Sequence, residues 1–340
     1  CHKEQSQQWK GSHHDLAMMV ANEKSVLGDF NNRRHTHDGV SSKFFRQGKD
    51  FFVNTIGPDG KLHDYQIKYT FGVYPLQQYL IEFPGGRLQA LDISWDSRPK
   101  EEGGQRWFRL NPDEKIPPGD VLHWTGPNLN WNYMCAECHS TNLNKNFDSA
   151  SNSYDTTWSE INVSCEACHG PGKSHVAWAN STDKSAKNMG LTTNFDERKG
   201  VSWGINKDTG MPVRSEPLKS HREIDACAVC HSRRSQISEN DQPGETFNDA
   251  FQPSLLTERL YHADGQIDDE VYVYGSFLQS KMYQAGVTCS DCHNPHIADL
   301  HAPGEQVCYS CHRADVYTSS SHHHHETGTA GASCVECHMP

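Results

Sequence analysis

Six times between Cys135 and His338 the chain repeats the pattern Cys-x-x-Cys-His: Cys135-Ala-Glu-Cys138-His139, Cys165-Glu-Ala-Cys168-His169, Cys227-Ala-Val-Cys230-His231, Cys289-Ser-Asp-Cys292-His293, Cys308-Tyr-Ser-Cys311-His312 and Cys334-Val-Glu-Cys337-His338. They use all but one of the 13 cysteines. With this content of Cys and His, chance would supply on the order of 0.03 copies, so the repetition reflects chemistry. Two thiols at this spacing can add to the two vinyl groups of a porphyrin, and the next residue is then carried beneath the ring, where its imidazole binds iron. The pattern is the attachment signature of haem c. His139, His169, His231, His293, His312 and His338 are the expected proximal ligands. The remaining cysteine, Cys1, is followed at once by His2 and reads as the end of a seventh motif whose first cysteine lies upstream, which brings the expected haem count to seven.

Other uses of cysteine fit less well. Zinc ribbons also pair Cys-x-x-Cys, but they need sets of four donors and give no reason for a histidine directly after every second cysteine. A disulfide framework explains the even number and leaves the adjacent histidines unexplained. Cys1 has a separate alternative as the lipid-bearing residue of a mature lipoprotein; the adjacent His2 favours haem.

A pure electron carrier closes the second axial position of each iron as well, and fifteen of the 22 histidines remain for that purpose. The run from His322 to His325 looks like a purification tag, but it has four members and is followed by a complete motif, so it belongs to the protein. Two sixth ligands are expected from it, at His323 and His325. Met18, Met19 and Met134 could also ligate and would raise a potential; with so much histidine they read as packing.

The elements that must hold these groups are weakly marked. Hydrophobic residues are 35% of the sequence and mean hydropathy is −0.78, poor in apolar material for a globular chain. Large flat porphyrins supply the missing core. The fold class expected is therefore a multihaem cytochrome c, mainly short α-helices and irregular coil wrapped round haems, with an inserted small antiparallel β-subdomain. Loose apolar spacing predicts a short helix over 13–27. Strand-like runs begin at residue 43: Phe51-Phe52-Val53 and Tyr65 to Tyr69 flank Gly57-Pro58-Asp59-Gly60, and Tyr79-Leu80-Ile81 and Leu88 to Leu91 flank Pro84-Gly85-Gly86, predicting two hairpins in a β-region of roughly 43–110. Three parts follow: an N-terminal haem segment over 1–42, a β-rich insert over 43–125, and a six-haem domain over 126–340. The shortest spacing, from His293 to Cys308, predicts two neighbouring haems.

The segments Trp9-Lys10-Gly11-Ser12-His13-His14-Asp15-Leu16-Ala17-Met18, Gly72 to Leu80, Asn130-Trp131-Asn132-Tyr133-Met134-Cys135 and the closing Cys337-His338-Met339-Pro340 resemble a bacterial family of multihaem c-type cytochromes. That family is often followed by tetratricopeptide repeats and is related to the hydroxylamine oxidoreductase and cytochrome c-554 group. The resemblance covers nearly the whole chain. It implies mostly bis-histidine haems in a close-packed file, with sixth ligands at His14, His123, His175, His262 and His296. His296 is too close to His293 to reach under that residue's own haem, so it is expected to serve another iron. His13, His35, His37, His63, His221, His301, His322 and His324 are reserves. The likeness departs at the ends, where the first motif is cut and no repeat follows, so recognition of partners by repeats is not expected.

The formal net charge of −12 argues against nucleic acid as a partner. No run of eighteen apolar residues occurs, so no membrane span is expected in this chain. Thioether attachment normally takes place outside the cytoplasm, which points to the periplasm or the cell exterior. The expected function is electron transfer along closely spaced haems to redox partner proteins or extracellular acceptors, with a conductive homopolymer filament as a stronger version. The rival is an oxidoreductase acting on small nitrogen or sulfur compounds at one five-coordinate haem; no residue stands out as its acid or base. A third reading makes the β-region a scaffold for partner binding.

Overall fold

The computed structural model describes residues 2–238 and 243–339; the reading of Cys1 as a haem anchor lies outside them. Packing divides the chain into two compact units that meet in sequence between Ala167 and Cys168.

The first unit is dominated by one antiparallel sheet. Its strands are β1 (Met18–Val20), β2 (Arg33–His37), β3 (Val40–Gln47), β4 (Asp50–Ile56), β5 (Leu62–Phe71), β6 (Leu76–Phe83), β7 (Arg87–Ala90), β8 (Ile93–Asp96) and β9 (Arg106–Arg109). The order is β2-β3-β4-β5-β6-β8-β9, with β1 added to the end of β5 and β7 to the end of β6. β2 comes up against β9, so the sheet is nearly closed on itself. Closure removes the exposed edges that a flat sheet of this size would present.

Alternation along the strands sets what lies inside. On β4, Phe51, Val53 and Thr55 are buried between half-exposed neighbours, and on β3 Ser42 and Phe44 do the same. The two inward hydroxyls, Ser42 Oγ and Thr55 Oγ1, hydrogen-bond to each other at 2.7 Å, which offsets the cost of burying them. Phe30 sits at the centre, its ring edge-on to Phe44, Phe51, Tyr79 and Trp107 at 5.1–5.6 Å. Trp107 of β9 stacks flat on Phe44 of β3 at 3.6 Å, joining the closing strand to the opening ones. Trp107→Ala is expected to cost about 3–5 kcal/mol, read as a lower denaturant midpoint. A loss below about 1 kcal/mol would mean that the stack does not hold the closure.

Both hairpins read from the sequence are present: β4 pairs β5 around Gly57–Gly60, and β6 pairs β7 around Pro84–Gly86. Gly86 needs to be glycine twice over, since its φ is 70° and a Cβ there would run into the Tyr154 carbonyl. Two expectations are overturned. The chain is not mainly helical with a small β-subdomain; the sheet spans Met18 to Arg109, and the helices are single turns or two. Nor is there a helix over 13–27: Met18, Met19 and Val20 pair instead with Phe71, Thr70 and Tyr69, where Met18 is fully buried. Edge pairing onto β5 satisfies more backbone than one isolated helical turn could.

The second unit consists of short helices and two-stranded ladders, among them Trp203–Ile205 with Pro212–Arg214, Arg234–Gln236 with Phe251–Pro253, and His293–Asn294 with Asp299–Leu300. Its apolar cluster is small: Ile224, Ala228, Phe247, Ala250, Phe251 and Tyr274. No helix among the described residues is long and apolar enough to cross a membrane.

Candidate functional site

Each Cys-x-x-Cys-His segment is wound into a helical turn. In the first, third, fourth, fifth and sixth complete motifs the carbonyl of the leading cysteine accepts from the N–H of the second, at 3.2–3.4 Å. The second motif lies in the helix Cys165–His169. Residues three and four apart share one face of such a turn, so the two sulfurs fall on one side, and in the third, fifth and sixth motifs the histidine N–H returns to the leading cysteine carbonyl at 2.8–3.0 Å and brings the imidazole to that side as well. Among the described residues the motif cysteines are half-buried, apart from the exposed Cys165 and Cys337. No group of three or more His, Cys, Asp or Glu there is gathered to hold a bare ion.

The first complete motif hangs from the barrel. Asn130 caps the helix Trp131–Met134 by accepting from Tyr133 N at 3.2 Å. Asn132 Oδ1 accepts from Leu88 N of β7 at 2.8 Å, and its Nδ2 donates to the Gly86 carbonyl at 3.1 Å. Trp131 is wholly buried between them. His139, at the end of this motif, lies with Nδ1 3.1 Å from the Ala17 carbonyl, and Phe71 stands edge-on at 5.4 Å. A donor bond from Nδ1 to a carbonyl orients an imidazole and leaves Nε2 for a metal. His175 is held the same way, Nδ1 to the Met189 carbonyl at 2.9 Å, and His123 lies with Nδ1 2.8 Å from Thr125 Oγ1. His123 is buried, burial leads in lowering its pKa, and its Nδ1 also accepts from Thr125 N at 3.3 Å.

Imidazole pairs give the sharpest test of fit to haem. With a metal–nitrogen bond of about 2 Å and about 1.1 Å from nitrogen to ring centre, two imidazoles on opposite faces of one iron have centroids about 6.2 Å apart. His169 and His296 are 6.4 Å apart with planes 11° from parallel, and His322 and His338 are 6.1 Å apart at 5°. The residues present fit the group. His296 is carried in the hairpin of His293–Asn294 and Asp299–Leu300, with Asn294 Oδ1 accepting from its N–H at 3.0 Å. Burial lowers the pKa of His296, and lowers that of His293 with help from His301.

His262 is exposed and lies 3.3 Å from Asp268. His14 belongs to the Ser12–His14 loop, where its carbonyl accepts from Val163 N at 3.2 Å. His323 Nε2 lies 3.2 Å from the Thr318 carbonyl, and its Nδ1 accepts from His325 N at 3.2 Å. The His325 ring lies where a Cβ on Gly331 would be, 2.6 Å away. The residue facing His338 is His322, one of the reserves. Among the other reserves, His13 stacks on Tyr74, His63 pairs with Asp59 at 2.9 Å, and His301 Nε2 lies 3.0 Å from the Ser290 carbonyl. His35 and His37 share a face of β2, and His221 lies against Tyr283.

Two carboxylates that sequence reasoning passed over fix one motif against another. Glu223, on the helix leading into Cys227, accepts from both Ser290 N at 2.6 Å and Ser290 Oγ at 2.7 Å. That brings the two motifs together: the neighbouring Cys289, with burial, pushes the Cys227 thiol up, while Cys227 holds that of Cys289 down. Glu305 Oε1 likewise accepts from Cys334 N at 2.5 Å. Glu223→Ala strands the Ser290 N–H and is expected to cost about 1–3 kcal/mol, seen as a lower melting temperature. An unchanged melting temperature would show that the bridge carries no load.

Comparisons with known proteins give two partial family matches, the doubled CXXCH motif over residues 282–317 and cytochrome c554 and c-prime over residues 122–170. The multiheme cytochrome MtrA of Shewanella baltica (strain OS185) is 25% identical over 207 residues, 52% of this chain and 51% of that protein. A solved structure, the undecaheme cytochrome from the S-layer of Carboxydothermus ferrireducens, aligns at 15% identity with a TM-score of 0.37, over 81% of this chain and 44% of that one. The chain spans about half the length of the relatives it matches.

Proposed function

We propose that this chain, a multihaem c-type cytochrome, carries electrons along a file of about seven covalently attached haems, most of them closed on both faces by histidine. Bound haem supplies the one-electron chemistry, with a potential set by axial ligand, burial and nearby hydrogen bonds. The observation that carries the reading is the facing of His169 and His296 at 6.4 Å, the spacing of two ligands on one iron. His296 also shares a hairpin with His293. One short turn would thus hold ligands of two irons and keep them close, as a transfer file requires. The anchors are the twelve cysteines of the complete motifs, with Cys1 and His2 as the remnant of a seventh. His14, His123, His175 and His262 remain proposed sixth ligands, supported by their sequence context and, at His123 and His175, by ring nitrogens already oriented.

Haem c attachment outside the cytoplasm supports a periplasmic or extracellular site of action, with other redox proteins or external acceptors as partners. A conductive polymer draws support only from the surplus of histidines. A pyridine haemochrome assay with intact mass is expected to count at least six haems, and EPR of the oxidised protein to show low-spin iron throughout. A high-spin component in the unaltered protein would turn the reading toward an oxidoreductase. Fewer than six haems would overturn it.

A further inference from the structure

We infer that the last two motifs form one unit in which Tyr317 is a positioning residue for two irons and His322 is the sixth ligand of the second. This rests on the reading of both motifs as haem sites. Tyr317 ends the short helix Ala314–Tyr317, and its ring is edge-on to two imidazoles at once: His312 at 5.6 Å and 89°, and His322 at 4.9 Å and 82°. His312 would be the proximal ligand of a haem on Cys308 and Cys311. His322 faces His338, proximal ligand of the Cys334–Cys337 haem, at 6.1 Å and 5°.

Three features make this arrangement selective. His322 stands in the helix Ser320–His323, whose backbone is tied to the preceding turn by His322 N to the Ser319 carbonyl at 2.9 Å. The adjacent His323 has both ring nitrogens engaged, with the Thr318 carbonyl and with His325 N, so it is not available without breaking that turn. The bond from Cys334 N to Glu305, three residues before Cys308, brings the two attachment points together. An aromatic edge against each ligand limits rotation about its metal–nitrogen axis, and the plane of an axial imidazole governs the g-tensor of low-spin iron. With haem bound, Tyr317 would hold the planes of both imidazoles together. Its hydroxyl reaches Met211 Sδ at 3.7 Å, which steadies the ring from its far end.

The test uses the haem-loaded full chain. His322→Leu is expected to convert one haem's worth of low-spin EPR signal to high-spin, whereas His323→Leu leaves the spectrum unchanged. His322→Met is expected to remain low-spin with a raised potential at that one haem. Tyr317→Leu is expected to shift the low-spin signals of two haems, and Tyr317→Phe, which keeps the ring edge, to restore both. With the haemochrome count unchanged, a fully low-spin His322→Leu protein, or a Tyr317→Leu spectrum identical to the parent, overturns the inference. Peptide mass showing no porphyrin on Cys334 and Cys337 in the unaltered protein would instead overturn the haem reading of that motif.

Discussion

Made in a compartment that attaches no haem, the chain is expected to keep its β-barrel and to lose ordered structure from Cys168 onward. The barrel has a core of its own: Phe30, Phe44, Phe51, Val53, Ile67, Tyr79, Ile81, Leu91, Ile93, Trp95, Trp107 and Trp124 are buried in one cluster, and its backbone is paired strand to strand. The second unit has Ile224, Ala228, Phe247, Ala250, Phe251 and Tyr274, with helices mostly a single turn long. Helices that short do not hold in water by themselves, and so few buried side chains cannot offset the entropy of ordering so much irregular backbone. Porphyrin faces have to contribute the rest. Hydrogen exchange read by mass spectrometry separates the outcomes. Amides of β3 to β6 should stay protected in the haem-free chain, while those of the helix Arg222–Ala228 and of the motifs at Cys289, Cys308 and Cys334 exchange as in an unfolded peptide. Protection of that second set at the level of the loaded protein would show that haem is not its core.

The same contrast explains which parts of the molecule were legible in the sequence. Cysteine and histidine chemistry is written in residue types at fixed offsets, so the motifs and their helical turns could be read directly. Hairpins with a Gly-rich turn between apolar runs were equally plain at Gly57–Gly60 and Pro84–Gly86. The barrel's closure was not. Its opening strand, Arg33-Arg34-His35-Thr36-His37, carries no apolar alternation at all, because its partners are β3 on one side and the β9 edge on the other. β8, Ile93-Ser94-Trp95-Asp96, is buried at every position, so it too lacks the period that marks a half-exposed strand. Among His322 to His325 the chain offers four identical side chains, and sequence has nothing with which to choose. In the proposed assignment the choice falls to backbone direction: His322 is helical, His323 is tied back to Thr318, and His324 turns left-handed at φ 58°. Tyr317, Glu223 and Glu305 act through contacts across 5 to 67 positions of chain, and no local pattern announces such partners.

Replacing His296 by leucine is expected to leave the haem count unaltered and to open one iron. In the parent, carbon monoxide should find no vacant axial position on the reduced His169 haem; in His296→Leu one equivalent per chain should bind, and one haem's worth of the oxidised signal should become high-spin. The effect is large because coordination is all or none. Phe195 lies 5.3 Å from His169 but offers no donor atom, and His293, three residues away, is the proposed proximal ligand of another haem. Fold damage should be slight, since the hairpin that carries residue 296 is held by pairing of His293 with Leu300 and Asn294 with Asp299, and by the Asn294 side chain on the 296 backbone N–H, none of which needs the imidazole. His296→Met supplies the control: a thioether restores the sixth bond, blocks carbon monoxide in proportion to its affinity for iron, and raises the potential of that haem alone. If His296→Leu stays low-spin and takes up no carbon monoxide, the facing of His169 and His296 is packing and another residue closes that iron. If it binds carbon monoxide as stated, then one hairpin does hold ligands of two irons, and the closeness of those two centres follows from three residues of chain.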